Sequence, residues 1–345
     1  MSIKKILVTG GSGFIGTNLV RFLISKNIEV HNIDKLSYCS VPNKFTNFSK
    51  KKYFFYKVDL LKIHQVKKIL LKVKPEIIIN LAADSHVDRS IDTPEKFIKN
   101  NVLSCLNLLE CIKNINKKIK IKKFIHMSTD EVFGGDNKFP SKENDKYETN
   151  SPYSASKASC DALCRAFYKT YKIPVIIVHS CNNYGPFQFT EKFIPTVISK
   201  YMNKEMIPLY GSGKNIREWI FVEDFCRAIF KIFNYGKIGE NYNVGSNERI
   251  SNINALKIIL NIIYQKSNNK NFKGAIKKVV DRPGHDFIYQ INSNKIRREF
   301  NFKNSYNFKE GIKKTISWYL KNQYWLNYCK KIYKGNRQGI LKNDK

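Results

Sequence analysis

The sequence predicts an α/β fold, a doubly wound parallel sheet with a smaller C-terminal lobe. Three observations predict it. Short apolar runs alternate with helical patterns through the first half of the chain. A glycine-rich turn separates the first apolar run from the first helix. After about residue 181 the elements shorten and are punctuated by Gly, Pro and aromatic residues.

Residues 4–9 read as a buried strand, and 14–26 as a helix ending at the polar turn Lys26-Asn27. Residues 28–33 form a second strand, closed by Asp34, and 54–58 a third. A helix near 62–73 leads to a fourth strand at 76–81. A long helix over 95–116, a strand over 124–128, a helix over 153–171 and a strand over 175–179 follow. Beyond them Gly185-Pro186, Gly211-Ser212-Gly213 and Arg282-Pro283-Gly284 mark loops. We expect residues 1–180 to build the sheet domain, with later segments crossing back. Residues 181–330 should form mainly the second lobe, and 331–345 a frayed basic tail.

The chain has 345 residues, 42% of them hydrophobic, which suffices for a full core. No apolar run is long enough for a membrane span. The beginning lacks the apolar stretch and cleavage site of a signal peptide, so a cytoplasmic location is the default expectation. A net charge of +33, taken alone, suggests nucleic acid or an anionic membrane. The lysines are spread along the whole chain, however, so neither partner is expected, and the charge favours an anionic small substrate. Among 8 cysteines there is no Cys-x-x-Cys pair, and Cys160 and Cys164, one helical turn apart, read as packing. The 6 histidines form no ligand cluster in the sequence. Neither a metal site nor a disulfide framework is expected.

Gly10, Gly13 and Gly16 lie between a strand and a helix in Gly-Gly-Ser-Gly-Phe-Ile-Gly. Glycine permits the tight turn, admits a pyrophosphate close to the backbone and lets the helix pack on the strand. The helix N-terminus offers free N–H groups to phosphate. Asp34 can accept from both ribose hydroxyls and would repel a 2′-phosphate, which favours NAD over NADP. Lys35 beside it tempers that argument, and an ordinary turn residue at a strand end would look the same. Asp59 and Leu60 are placed to meet the adenine, and Leu81, Ala82 and Ala83 let the cofactor pass closely. The sheet is thus expected to be of Rossmann type.

Tyr153 and Lys157 stand one turn apart at the start of a helix. An ammonium near a phenol lowers its pKa and makes it a usable base toward an alcohol. Thr129, Asp130 and Glu131 follow a buried strand, where parallel sheets place chemistry. A dehydrogenase needs only a hydroxyl there. Two acids suggest further proton work, one ionised as base and one protonated as acid. The same two residues would also suit a helix N-terminus.

Together these residues resemble the extended short-chain dehydrogenase/reductase family, and within it the NAD-dependent sugar-nucleotide 4,6-dehydratases. The resemblance runs from Ile6 to about Leu320 through GGSGFIG (10–16), LAADSHVDRS (81–90), STDEVFG (128–134), YSASK (153–157), NNYGPFQFTEKFIP (182–195), REWIFVED (217–224) and DRPGHD (281–286). It implies a hydro-lyase of nucleotide-sugar metabolism acting on dTDP-glucose. UDP-glucose 4,6-dehydration and UDP-sugar 4-epimerisation are the alternatives.

The resemblance implies that Tyr153 takes the C4 hydroxyl proton, supported by Lys157, while Thr129 bonds the C4 oxygen. It makes Glu131 the base at C5 and Asp130 the acid at the C6 hydroxyl. It extends the cofactor set to Phe14, Ile15, Lys35, Ser37 and Asn183. It places Ser85 near the sugar, and Asn182, Lys192, Arg217, Asn252, Arg282 and His285 on the nucleotide and diphosphate. Arg217 suits phosphate by its own chemistry, or pairs with Glu218. His86 and His285 are also readable as ordinary loop histidines. By family analogy the helices over 95–116 and 153–171 pair into a homodimer. The chain departs from the family at Phe133, where tyrosine is usual, at Asp84, where glutamate is usual, and at Glu218, where aspartate is usual.

Overall fold

A computed structural model describes residues 5–42, 46, 48, 51–115, 118–135, 138–267, 274–333, 335, 338 and 339. The first half lays down β1 (Lys5–Thr9), α1 (Phe14–Ser25), β2 (Glu29–Asp34), β3 (Tyr53–Lys57), α2 (Ile63–Val73) and β4 (Ile77–Asn80). Three short pieces follow: α3 (Val87–Asp92), α4 (Pro94–Phe97) and a π-helical stretch, Ile98–Leu103. They lead into α5 (Ser104–Ile115), β5 (Lys123–Met127), a 3-10 turn (Asp130–Phe133), α6 (Pro152–Tyr171) and β6 (Val175–Ser180).

The central sheet has the order β3-β2-β1-β4-β5-β6 and then a seventh strand, β10 (Asn241–Val244). Every pairing in it is parallel. Ile6, Leu7, Val8, Ile77, Ile78 and Ile79 are all fully buried, because helices cover both faces. Full burial of each such side chain stabilises the sheet by about 1.5–3 kcal/mol. Strand order reverses between β1 and β4, so the loops after these two strands splay apart and open a crevice.

The later chain divides its loyalties. β7 (Asn182–Tyr184), α7 (Phe193–Met202), β8 (Ile207–Tyr210) and β9 (Ile216–Phe221) build the second lobe. α8 (Val222–Tyr235) and β10 then return to the large sheet. β11 (Arg249–Ser251), α9 (Asn252–Lys266) and β12 (Ile276–Val279) go back to the lobe, and α10 (Asn294–Phe300) packs on β10. α11 (Phe308–Lys321) and α12 (Gln323–Ile332) close the chain's second core around Tyr184, Tyr201, Tyr319 and Trp325.

Two expectations are corrected. The helix foreseen over 95–116 is composite. Pro94 opens a new helix after Thr93, and the π-helical stretch turns the Asn101 carboxamide inward. There it donates to Ser156 Oγ (2.9 Å) and the Asp84 carbonyl (3.0 Å) and accepts from the Asp84 N–H (2.7 Å). The tail is also less frayed than foreseen. α12 runs to Ile332, Tyr333 packs near Phe189, and the Gly339 N–H donates to the Asp92 carboxylate at 3.0 Å. Residues 334, 336–337 and 340–345 lie outside the described residues.

Candidate active site

The glycine turn after β1 is built by backbone crowding. Gly10 has φ +70, and a Cβ there would sit 2.7 Å from the Ala82 backbone. A Cβ on Gly16 would lie 2.2 Å from the Gly10 carbonyl, so α1 packs on the turn only because that atom is missing. Gly13 differs. A Cβ there would meet only the Gly10 carbonyl, at 3.3 Å, and would otherwise occupy the crevice. Gly13 is also the N-cap of α1 and offers no side-chain cap. The fold does not need glycine at 13. Room for an anion at the exposed N–H groups of Phe14 and Ile15 does, and that is the fit expected of a dinucleotide pyrophosphate.

Asp34 closes β2 and accepts from the N–H groups of Ser12 (3.0 Å) and Leu36 (2.7 Å). Burial raises its carboxyl above the usual range, against those two bonds. Lys35 donates to Asn100 Oδ1 at 2.9 Å and lies 3.8 Å from Asp59. These residues line the adenosine half of the crevice with Ser37, Leu60, Leu81, Ala82 and Ala83. No 2′-phosphate partner other than Lys35 stands beside Asp34 in this lining.

The crevice continues over β5. Thr129 is the N-cap of the 3-10 turn and accepts from the Glu131 N–H at 3.3 Å. Asp130 and Glu131 therefore occupy the first turn of a short helix, as their alternative reading allowed, and still line the crevice. Asp130 Oδ2 and Glu131 Oε2 are buried without a hydrogen-bond partner. Two orphaned carboxylate oxygens in one crevice are costly unless a ligand meets them.

Both acids are raised, but the charges around them differ in balance. Burial pushes Asp130 well above the carboxylate range, and the charges of Glu131 and Glu218 push it further. Burial also raises Glu131, but Arg282, Arg217 and Lys192 oppose it. The pair is thus polarised toward a protonated Asp130 and an ionised Glu131.

Tyr153 and Lys157 share the N-terminal turns of α6, held by a capping box between Ser151 and Ser154. One expectation fails here. Burial first, and then the Glu131 charge, raise the Tyr153 phenol instead of lowering it, with the Thr129 hydroxyl opposing. Lys157 Nζ donates to the Met127 carbonyl.

Across the crevice, Asn182 and Asn183 sit on β7. Asn182 Nδ2 and Asn183 Oδ1 are buried without partners. Lys192 donates to the Ser85 carbonyl at 2.6 Å. Arg217 does not pair with Glu218. It donates to the carbonyls of Asp286 (2.9 Å) and Ile216 (2.7 Å), while Glu218 faces the other way and accepts from the Asn247 N–H at 2.8 Å. Arg282 is held by Asp88 at 2.8 Å, with its Nε unpaired, and His285 by Asp281 at 2.6 Å. Ser85, Asn182, Lys192, Arg217, Asn252, Arg282 and His285 line one chamber that Glu131 joins to the β5 crevice. Burial lowers His285 and His86 to about 4, so both stand neutral at physiological pH, and His86 caps α3.

The sequence reading missed Trp219, Gln188 and Tyr289, which also line this chamber. Tyr289 lies under the Arg217 guanidinium, 4.4 Å from ring centroid to Cζ. Only the alternation of β9 hints at Trp219, and nothing local marks the other two. The reading also missed Asp161, fully buried on α6, which accepts from Ser128 and Tyr147 and lies beside His126 and His179. One juxtaposition joins residues that are remote in sequence. Cys105, His126 and Cys160 bring three ligand atoms within 4.8 Å of one another, because α5, β5 and α6 meet there.

Comparison with known proteins gives concordant matches. A family model described as GDP-mannose 4,6 dehydratase matches residues 7–315. A dTDP-glucose 4,6-dehydratase of Xanthomonas campestris pv. campestris (strain B100) is 42% identical over 332 residues, 93% of this chain and 94% of that one. The crystal structure of DesIV, a dTDP-glucose 4,6-dehydratase from Streptomyces venezuelae with NAD bound, is similar at a TM-score of 0.85. It is 34% identical over 93% of this chain and 98% of that one. A dTDP-glucose 4,6-dehydratase from Bacillus anthracis, in complex with NAD, has a TM-score of 0.84 and 34% identity over 94% and 99% of the two chains.

Proposed function

Because the chain belongs to the dTDP-glucose 4,6-dehydratase family of sugar-nucleotide dehydratases, we propose that it converts dTDP-glucose to dTDP-4-keto-6-deoxyglucose with NAD. Bound NAD supplies a hydride acceptor at the first stage and a hydride donor at the last. The chain's own groups do the proton work. Thr129 and Tyr153 hold the C4 hydroxyl, and Tyr153 takes its proton as a phenolate, a form that the Lys157 ammonium one turn away and the positive charge of a bound nicotinamide ring would favour against burial. The C4 ketone acidifies the C5 hydrogen, and the ionised Glu131 removes it. The protonated Asp130 gives its proton to the departing C6 hydroxyl, which leaves as water; as C6 receives a hydride, Glu131 returns its proton to C5, and the proton gained at Tyr153 replaces the one Asp130 gave up. Arg217, Arg282 and Lys192 bind the diphosphate and keep Glu131 ionised by the same charge.

The observation that carries this reading is the polarised pair at 130 and 131, since epimerisation calls for no acid and base side by side. Incubation with dTDP-glucose and with UDP-glucose, followed by mass detection, tests it. A product lighter by one water supports the reading. An isomer of unchanged mass defeats it.

Among the described residues no helix is long and apolar enough to cross a membrane. A cytoplasmic enzyme is our reading. So is a homodimer built on the helices of the α4–α5 run and α6, where Ile98, Leu103 and Tyr171 are exposed. Scattering mass checks the dimer.

A further inference from the structure

Behind the crevice, on the far side of Lys157, lies a second cluster that the reaction does not use. Cys105 projects from α5, His126 from β5, and Cys160 and Cys164 from successive turns of α6. All four are at most 2% exposed. Cys105 Sγ lies 4.0 Å from His126 Nδ1 and 4.0 Å from Cys164 Sγ. Ligand atoms around a tetrahedral Zn²⁺ with sulfur and imidazole ligands stand about 3.5–3.8 Å apart. Those two separations come within about half an ångström of that spacing, and the ligand atoms of Cys105, His126 and Cys160 all lie within 4.8 Å of one another.

The imidazole has the tautomer a ligand needs, with Asn80 occupying the lone pair that a metal would take. Asn80 Nδ2 donates to His126 Nδ1 at 3.0 Å, which fixes the lone pair on Nδ1, the nitrogen facing the thiols, and the proton on Nε2. His126 Nε2 has no hydrogen-bond partner, and neither has Asp161 Oδ1, which faces it at 3.6 Å in a fully buried pocket. A carboxylate on the outer N–H is the usual second partner of a metal-bound histidine. Asn80 Nδ2 also lies 4.0 Å from Cys105 Sγ, so the amide can turn from the imidazole to a thiolate when the lone pair is taken. Cys160 would give up its bond to the Asn101 carbonyl, at 3.3 Å.

We infer that Cys105, His126 and Cys160 form a buried site for a thiophilic divalent cation, Zn²⁺, which Cys164, 4.0 Å from Cys105, would complete by a turn of its side chain. Binding breaks three S–H bonds and forms three Zn–S bonds and one Zn–N bond. The three protons leave to solvent. Three thiolates, one neutral imidazole and Zn²⁺ carry a net charge of −1. The Lys157 ammonium, three residues before Cys160 on α6, supplies a balancing charge. The site would clamp α5 and α6 to β5 beneath the proposed active site.

The test folds the full NAD-bound chain in zinc-containing medium, dialyses it against a weak chelator, and counts metal by plasma mass spectrometry. Cys105→Ser and Cys160→Ser are compared with Cys226→Ser, a buried thiol on α8. We expect one zinc per chain in the wild type and in the control, and its loss in the other two. Cobalt loaded instead should show a thiolate charge-transfer band. A wild-type chain that is folded by near-ultraviolet dichroism yet carries no zinc overturns the inference, whatever the variants do. Zinc that both cysteine variants retain overturns it too.

Discussion

Ser128 Oγ donates to Asp161 Oδ2 at 2.6 Å. The residue just before Thr129 is thereby tied to α6 two turns beyond Tyr153. The two elements that carry the proposed proton chemistry are fixed to each other through one buried carboxylate. Burial alone would raise Asp161. The hydrogen bond and charge of His179, then His126 and Ser128, hold it down at about 2. A depressed carboxyl stabilises the fold above its unfolded pKa, and that stability is lost as the pH falls through the folded value. Asp161→Asn should therefore cost about 2–3 kcal/mol at neutral pH and little near pH 2. Urea unfolding at several pH values measures it, and an unchanged midpoint at pH 7 would refute the anchoring role.

Glu131→Gln keeps the shape of the side chain and removes the base. Turnover should fall roughly 10²–10⁴-fold, while C4 oxidation in a single turnover persists as reduced nicotinamide absorbance. Exchange of the C5 hydrogen with deuterated solvent should stop. Continued exchange at the wild-type rate would assign the base elsewhere.

The pH profile of kcat/KM should be bell-shaped. Glu131 must be ionised, and its carboxyl is raised by burial, so activity falls as the pH drops through that value. Asp130 must be protonated, and its carboxyl is raised well above the usual range by burial, Glu131 and Glu218, so activity falls as the pH climbs through it. The two limbs belong to the pair and not to either residue alone. A profile flat from about pH 5 to 9 would contradict this division of labour.

Gly13→Ala and Gly16→Ala separate cofactor room from packing. The added carbon at 13 meets only one carbonyl, at 3.3 Å, so folding should change by less than about 1 kcal/mol. NAD affinity should weaken at least about tenfold, or about 1.4 kcal/mol. At 16 the carbon collides with backbone at 2.2 Å, and stability itself should fall. Calorimetric titration with NAD and thermal melting read the two effects. Equal loss of stability in both variants would remove the special role given to position 13.

Arg217→Lys keeps the charge and loses the planar fork that the Asp286 and Ile216 carbonyls orient. KM should rise by roughly 10–100-fold, with kcat changed much less, as expected when a bond to a remote phosphate is lost. A fall in kcat alone would point away from diphosphate binding.

Much of this was legible because period and punctuation carry it. The buried strands show as short Ile/Val runs, and the glycine turn shows where helix must meet backbone. The adjacent acids at 130 and 131 were visible, and the resemblance assigned base and acid between them, but the physical cause of their difference was not legible. It depends on Arg217, Arg282 and Glu218, which arrive from the other lobe. The direction of Lys157 was misjudged for a similar reason. Helical spacing places it beside Tyr153, but only the fold puts the Met127 carbonyl within its reach. The π-helical stretch has no local signal either. It follows from where Asn101 must reach, and Asp84 and Ser156 are remote in sequence.

The seventh strand has a consequence for synthesis of the chain. β6 is buried along its whole length and apolar over residues 175–178, yet the partner on its outer side, β10, is translated some sixty residues later. Until then a nascent chain holds a sticky, unpaired edge, the kind of surface that invites pairing with a neighbour. A fragment ending near Cys181 would look like a finished domain in the alignment of its motifs. In solution it should aggregate, and because α11 and α12 close the second core, the practical unit for expression or transplantation is the chain through α12.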